Sequence, residues 1–215
     1  IFLIFGFYLS KLQVFCKETT QNVDQGKNSD HLVVLVHGLM GKQEDLTYLA
    51  TVLRDKGCVV LLSKANAWLK SLSGIPTAAE RLVNEIHAIQ KENSNIQKIS
   101  FVGNSLGGLF SRYAVKLMTD GGKHDLLYPI SNDKKIGKPL KAGKFVTIAS
   151  PHLGVRDYLY FDTLLNTIGI TLPYFLKNII SYTMAWSGME LFLTDSNNKL
   201  LNNTLLYKMA INKEY

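Results

Sequence analysis

From position 31 onward the chain alternates two hydrophobic rhythms. Leu32-Val33-Val34-Leu35-Val36 is a continuous β-branched-rich run, the pattern of a strand buried on both faces. A glycine-punctuated turn, His37-Gly38-Leu39-Met40-Gly41, follows it. Glu44 and Asp45 then open a segment whose apolar positions, Leu46, Leu49, Ala50 and Leu53, recur at three-and-four spacing. That spacing predicts an amphipathic helix ending at Gly57. The pair repeats: Cys58–Leu62 reads as a strand and Ala79, Leu82, Val83, Ile86 and Ile89 as a helix face. It repeats again with strand Ile99–Val102 and a helix on Leu106, Leu109, Phe110, Tyr113, Ala114 and Leu117, stopped by Gly121-Gly122. Phe145–Ala149 reads as a fourth strand. Alternation of this kind predicts an α/β fold, a mostly parallel sheet between two helical layers. In such sheets chemistry gathers at the carboxyl ends of the strands.

Two stretches fall outside the rhythm. Residues 1–30 are left as an unassigned apolar and polar segment. Its run Ile1–Leu9 has nine residues, short of the ~20 that span a bilayer. The end of a signal or anchor, a first strand, and a fragment boundary all remain open for it; the first residue is Ile1, not Met. The second stretch, about 156–186, is rich in aromatic and aliphatic residues, with breaks near Gly169 and Pro173. Core and a lid over an acyl-binding cleft both fit it.

Composition narrows the class. The chain has 215 residues, 47% hydrophobic and 19% charged, which fits one globular domain and excludes a disordered or collagen-like chain. The formal charge is +7, but the lysines are scattered. The densest group, Lys134, Lys135, Lys138, Lys141 and Lys144, reads as a solvated loop rather than an anion-binding patch. Cys16 and Cys58 form no CxxC and have no nearby histidine, so free buried thiols are expected and a metal is not. Gly38-Leu39-Met40-Gly41-Lys42 is too short for a phosphate loop, and no G-x-G-x-x-G occurs. No cofactor and no nucleic-acid partner are therefore expected.

The sharpest motif is Gly103-Asn104-Ser105-Leu106-Gly107-Gly108. A G-x-S-x-G between a strand and a helix is a nucleophile elbow, a tight turn that raises the serine hydroxyl above the sheet. Chance would produce it with a probability of roughly 0.0003 per window, on the order of 0.07 hits in a chain this long. Ser105 is thus the candidate nucleophile. The Leu106 amide, at a helix start, is a candidate oxyanion donor, and the Leu39 amide in the glycine turn is the candidate second donor. The His37 ring reads as structural. A serine nucleophile needs a base and an orienting acid, in the chain order serine, acid, histidine. Only His124 and His152 follow Ser105. His152 precedes any later acid, and no histidine follows Asp157 or Asp162. The triad is therefore not complete within these 215 residues.

Five blocks carry a family resemblance: LVVLVHGLMG (32–41), SGIPTAAERLVNEI (73–86), ISFVGNSLGGLFSRYAVK (99–116), FVTIASPHLGV (145–155) and SGMELFLTD (187–195). Over about residues 30–215 the chain resembles the serine esterase, lipase-like family of α/β-hydrolases. The resemblance implies an α/β-hydrolase three-layer sandwich over 31–215, with an apolar helical cap insert at about 156–186. It implies cleavage of carboxylic esters, lipid esters in particular, with Ser105 as nucleophile and Leu39 and Leu106 as oxyanion donors. Partners would be a lipid or small ester, with contact to a membrane or lipid surface, in an intracellular setting. The rival reading is a non-catalytic lipid- or protein-binding module on the same fold.

Overall fold

A computed structural model describes residues 29–120, 123–128, 130–131, 134–135, 138–155, 185–193, 195–196 and 201–211. The chain runs through β1 (His31–Val36), a 3-10 turn (Gln43–Leu46), α1 (Thr47–Asp55) and β2 (Val59–Leu62). A second 3-10 turn (Trp68–Leu72) leads to α2 (Ile75–Glu92), β3 (Lys98–Asn104) and α3 (Leu106–Met118). Four short strands follow, β4 (Thr119–Asp120), β5 (Lys123–Leu127), β6 (Ile130–Ser131) and β7 (Lys134–Lys135), and then the long β8 (Leu140–Ile148). Two helices, α4 (Ala185–Leu191) and α5 (Leu205–Ile211), complete the described part.

The main sheet has the order β2-β1-β3-β8-β5-β4. Its first four strands are parallel, and β5 and β4 add an antiparallel edge. This is the α/β layering, a mostly parallel sheet with helices packed on it, that the alternating rhythm predicts. All six residues of β1 are buried, as a central strand with helices on both faces requires. The pleat divides them. Leu32, Val34 and Val36 join the core beneath α2 and α3, whereas Val33 and Leu35 pack with Ala50 and Leu53 of α1 on the other face. Every second side chain thus belongs to a different layer, which follows from the two-residue period of a strand.

Three expectations are revised or fall elsewhere. Lys141 and Lys144 do not lie in a loop: they belong to β8, which begins at Leu140, and Lys134 and Lys135 form β7. Lys141 and Lys144 of β8 are exposed, and among the described residues β5 pairs with only one end of this strand, at Leu140 and Lys141. Cys58 is not a free thiol but disulfide-bonded; spacing alone gave no sign of a partner. The unassigned 1–28 and the cap-like stretch 156–184 lie outside the described residues. Among the described residues, no helix is long and apolar enough to cross a membrane.

Helix α4 is fastened to the start of α2. The Ile75 N–H donates to Glu190 Oε2 at 2.6 Å, placing a carboxylate at the positive end of an 18-residue helix. Burial pushes the Glu190 carboxyl up from the ordinary 4.5 to about 7; the Ile75 bond opposes this, and neighbouring Asp195 adds to it. The folded chain therefore holds a proton there that the unfolded chain releases. Stability from this group is greatest below about pH 4.5 and falls as pH rises to about 7. Glu190→Gln should remove that slope. Melting curves from pH 5 to 8 should show wild-type Tm dropping relative to the variant, and parallel curves would refute the assignment.

Candidate active site

Ser105 sits alone between β3 and α3, with φ 53° and ψ −124°. A non-glycine residue in such a conformation costs on the order of 1–3 kcal/mol and persists only where the surroundings over-determine it. Here they do. The Ser105 N–H donates to the Ile148 carbonyl at 2.7 Å, and the Ser105 carbonyl accepts the Gly108 N–H at 3.0 Å. Three glycines let the turn close. A methyl group on Gly103 would collide with the backbone of Gly108, one on Gly107 with the carbonyls of Val36 and His37, and one on Gly108 with the Ser150 side chain. The helix is thereby drawn tight against β1, β3 and the end of β8.

The register of β1 and β3 brings the second glycine turn to the serine. Val36 lies beside Gly103, so two residues further along Gly38 reaches Ser105. A methyl group on Gly38 would stand 2.9 Å from Ser105 Cβ and 3.4 Å from its Oγ. Two donors hold the Gly38 carbonyl: the Gly41 N–H at 3.1 Å and the His37 ring through Nδ1 at 2.9 Å. A carbonyl only accepts, so Nδ1 carries the proton. The trans peptide places the Leu39 N–H opposite this anchored oxygen. His37, buried to 1% exposure, therefore orients the peptide that carries the Leu39 amide. Among the described residues, neither the Leu39 N–H nor the Leu106 N–H donates to a backbone carbonyl. Leu106 is the first residue of α3, where an amide has no partner within its helix.

Among the described residues, no hydrogen bond joins Ser105 to a histidine that follows it. His152 turns its Nε2 to Thr147 Oγ1 at 3.1 Å, and its buried Nδ1 has no hydrogen-bond partner among the described residues. Burial, and then the charge of Arg112, lowers its pKa, so the ring is neutral at pH 7. His124 falls in β5, with its side chain outside the described residues, as are Asp157 and Asp162. Among the described residues, no side chain hydrogen-bonds the Ser105 hydroxyl. A cavity of about 420 Å³ runs beside β8, lined by Phe101, Arg112, Val115, Phe145 and His152 among others. Ser105 is not part of its lining; the cavity follows the uncovered edge of β8 and not the elbow. Among the described residues, no group of three or more His, Cys, Asp or Glu side chains could hold a metal ion. What the described residues offer is Ser105 in a strained strand–helix turn, the Gly38 turn packed against it, and two amides, of Leu39 and Leu106, without backbone partners among those residues.

Among solved structures, the chain is similar to the crystal structure of the mature form of the Bacillus licheniformis lipase BlEst2, at 15% sequence identity and a TM-score of 0.46. The likeness covers 88% of this chain and 66% of that one, so the chain spans just under two thirds of that lipase. A family model matches from residue 26 to residue 215, taking in both glycine turns and every described strand and helix. By that match the chain belongs to the family described as "Putative serine esterase (DUF676)".

Proposed function

We propose that the protein is a serine hydrolase that cleaves carboxylic esters through an acyl-Ser105 intermediate. Ser105 Oγ attacks the ester carbonyl carbon, and the Leu39 and Leu106 N–H groups hold the oxygen as it becomes an anion. Each such donor is worth roughly 3–4 kcal/mol in the transition state. Collapse of the tetrahedral intermediate expels the alcohol, and water then hydrolyses the acyl-serine. The reading requires a histidine base and its acid from outside the described residues. The observation that carries it is the left-handed Ser105 at the strand–helix junction, with Gly38 packed against it.

Lipid esters are the favoured substrates. Met40, Trp68 and Leu69 beside the Gly38 turn are 41%, 57% and 69% exposed, and Lys42 lies over the Trp68 ring at 5.9 Å. An exposed apolar rim with a cation suits the surface of an anionic lipid aggregate. The rival reading, a non-catalytic binding module, draws on the Ser105 hydroxyl having no hydrogen-bonded base among the described residues. Treatment of the full-length protein with a fluorophosphonate, followed by peptide mapping, separates the two. An adduct on Ser105 is expected. No adduct, or one on another residue, would favour the binding module or a different nucleophile.

A further inference from the structure

The Gly38 turn is built in a form that its own residues do not favour. The Gly41 N–H returns to the Gly38 carbonyl at 3.1 Å, closing four residues, and Met40 in the third position has φ 53°. A positive φ there belongs to a type II turn, which prefers glycine or asparagine at that place. Methionine prefers the type I form, in which the central peptide between Leu39 and Met40 is reversed and φ is negative. The outward-turned Met40 N–H of the observed form has one acceptor. It donates to Ser71 Oγ at 2.9 Å, and Ser71 Oγ–H donates in turn to the Trp68 carbonyl at 2.7 Å.

Ser71 itself is wholly buried, at 0% exposure, and is held from behind. Ser187 Oγ–H donates to the Ser71 carbonyl at 2.7 Å, and the same oxygen accepts the Gly74 N–H at 3.0 Å. Glu190, one turn along α4, takes the next amide, that of Ile75. Helix α4 thus grips the segment that carries Ser71. The chain of contacts runs from α4, through Ser187 and Ser71, to the amide directly following Leu39.

We propose that Ser71 is a positioning residue for the oxyanion site. Its hydroxyl holds the Leu39–Met40 peptide in the unfavoured orientation, so that the backbone at Leu39 stays braced on the side away from the Gly38 peptide and the Leu39 N–H keeps its aim. The proposal rests on Leu39 acting as an oxyanion donor. His37 anchors the peptide before Leu39 and Ser71 the peptide after it. Together they fix both sides of the residue that carries the donor.

The test uses the full-length protein, with p-nitrophenyl butyrate as substrate and a fluorophosphonate to count active sites. Ser71→Ala should lower kcat per titrated site about tenfold or more, with KM changed less than twofold. Ser187→Ala removes the hydroxyl that braces the Ser71 carbonyl, and should lower kcat per site in the same direction by a smaller factor, with KM again changed less than twofold. Glycine adopts positive φ freely, so Met40→Gly added to Ser71→Ala should restore most of the lost kcat. In the wild type, amide exchange followed by NMR should show Met40 protected despite its exposed side chain. Unchanged kcat per site in Ser71→Ala, no restoration by Met40→Gly, or fast exchange at Met40 would each overturn the proposal. A wild type that the fluorophosphonate does not label overturns the esterase reading and this assignment with it. A labelled, active wild type with an undiminished Ser71→Ala overturns this assignment alone.

Discussion

Replacement of Ser105 by alanine is expected to lower kcat/KM for a short-chain ester by about 10⁴-fold or more, with the fold retained. The loss is large because no other group can form the acyl intermediate; what survives is the modest help that the two amides give to direct attack by water. Alanine keeps the Cβ, so it also keeps the cost of the left-handed φ of 53°. Ser105→Gly should be equally inactive and yet melt at a higher temperature than Ser105→Ala, by up to about 1 kcal/mol of stability. That difference isolates the strain stored at the elbow. Equal melting temperatures in the two variants would mean the turn is not strained. Retained turnover in either would remove Ser105 from the mechanism.

Leu39→Pro is the second large effect. Proline deletes the N–H and trims a half-buried side chain that packs on the core, and the backbone position that receives it suits it. Leu39 is the second residue of the Gly38–Gly41 turn, where types I and II both favour proline. The Gly41 N–H to Gly38 carbonyl bond and the His37 anchor do not involve the lost proton. The variant should therefore keep a Tm close to that of the wild type. It should lose about 10²–10³-fold in kcat, the cost of one missing oxyanion donor, with KM little changed. Steady-state kinetics beside a thermal melt decides the matter. A stable variant with full kcat would show that the Leu39 amide does not meet the oxyanion.

Strand, helix and layer assignments were legible along the sequence for a local reason. A doubly covered strand such as Leu32–Val36 is apolar at every position, and helices such as α2 carry a single apolar stripe; each signal is complete within a short window. The elbow was legible in the same way, since Gly103, Ser105, Gly107 and Gly108 lie within six residues. The first half of β8 was not. The lysines of β8 give it the composition of a loop, and only pairing with β3 makes it a strand. The same limit hid the disulfide at Cys58.

The sequence by itself determined the alternation of buried strands and amphipathic helices, the serine at a glycine-flanked junction, and the glycine turn after the first strand. These follow from residue types at fixed short spacings, to which backbone sterics and side-chain periodicity respond directly. Tertiary structure alone decided that Gly38 lies against Ser105, that His37 turns its ring onto the Gly38 carbonyl, and that Ser71 takes the Met40 amide while Ser187 and Glu190 clasp the segment behind it. The partners in the last two links are 31 and more than 100 residues apart. No local preference encodes such pairings; they arise because buried N–H and C=O groups must find partners once the sheet and helices have packed.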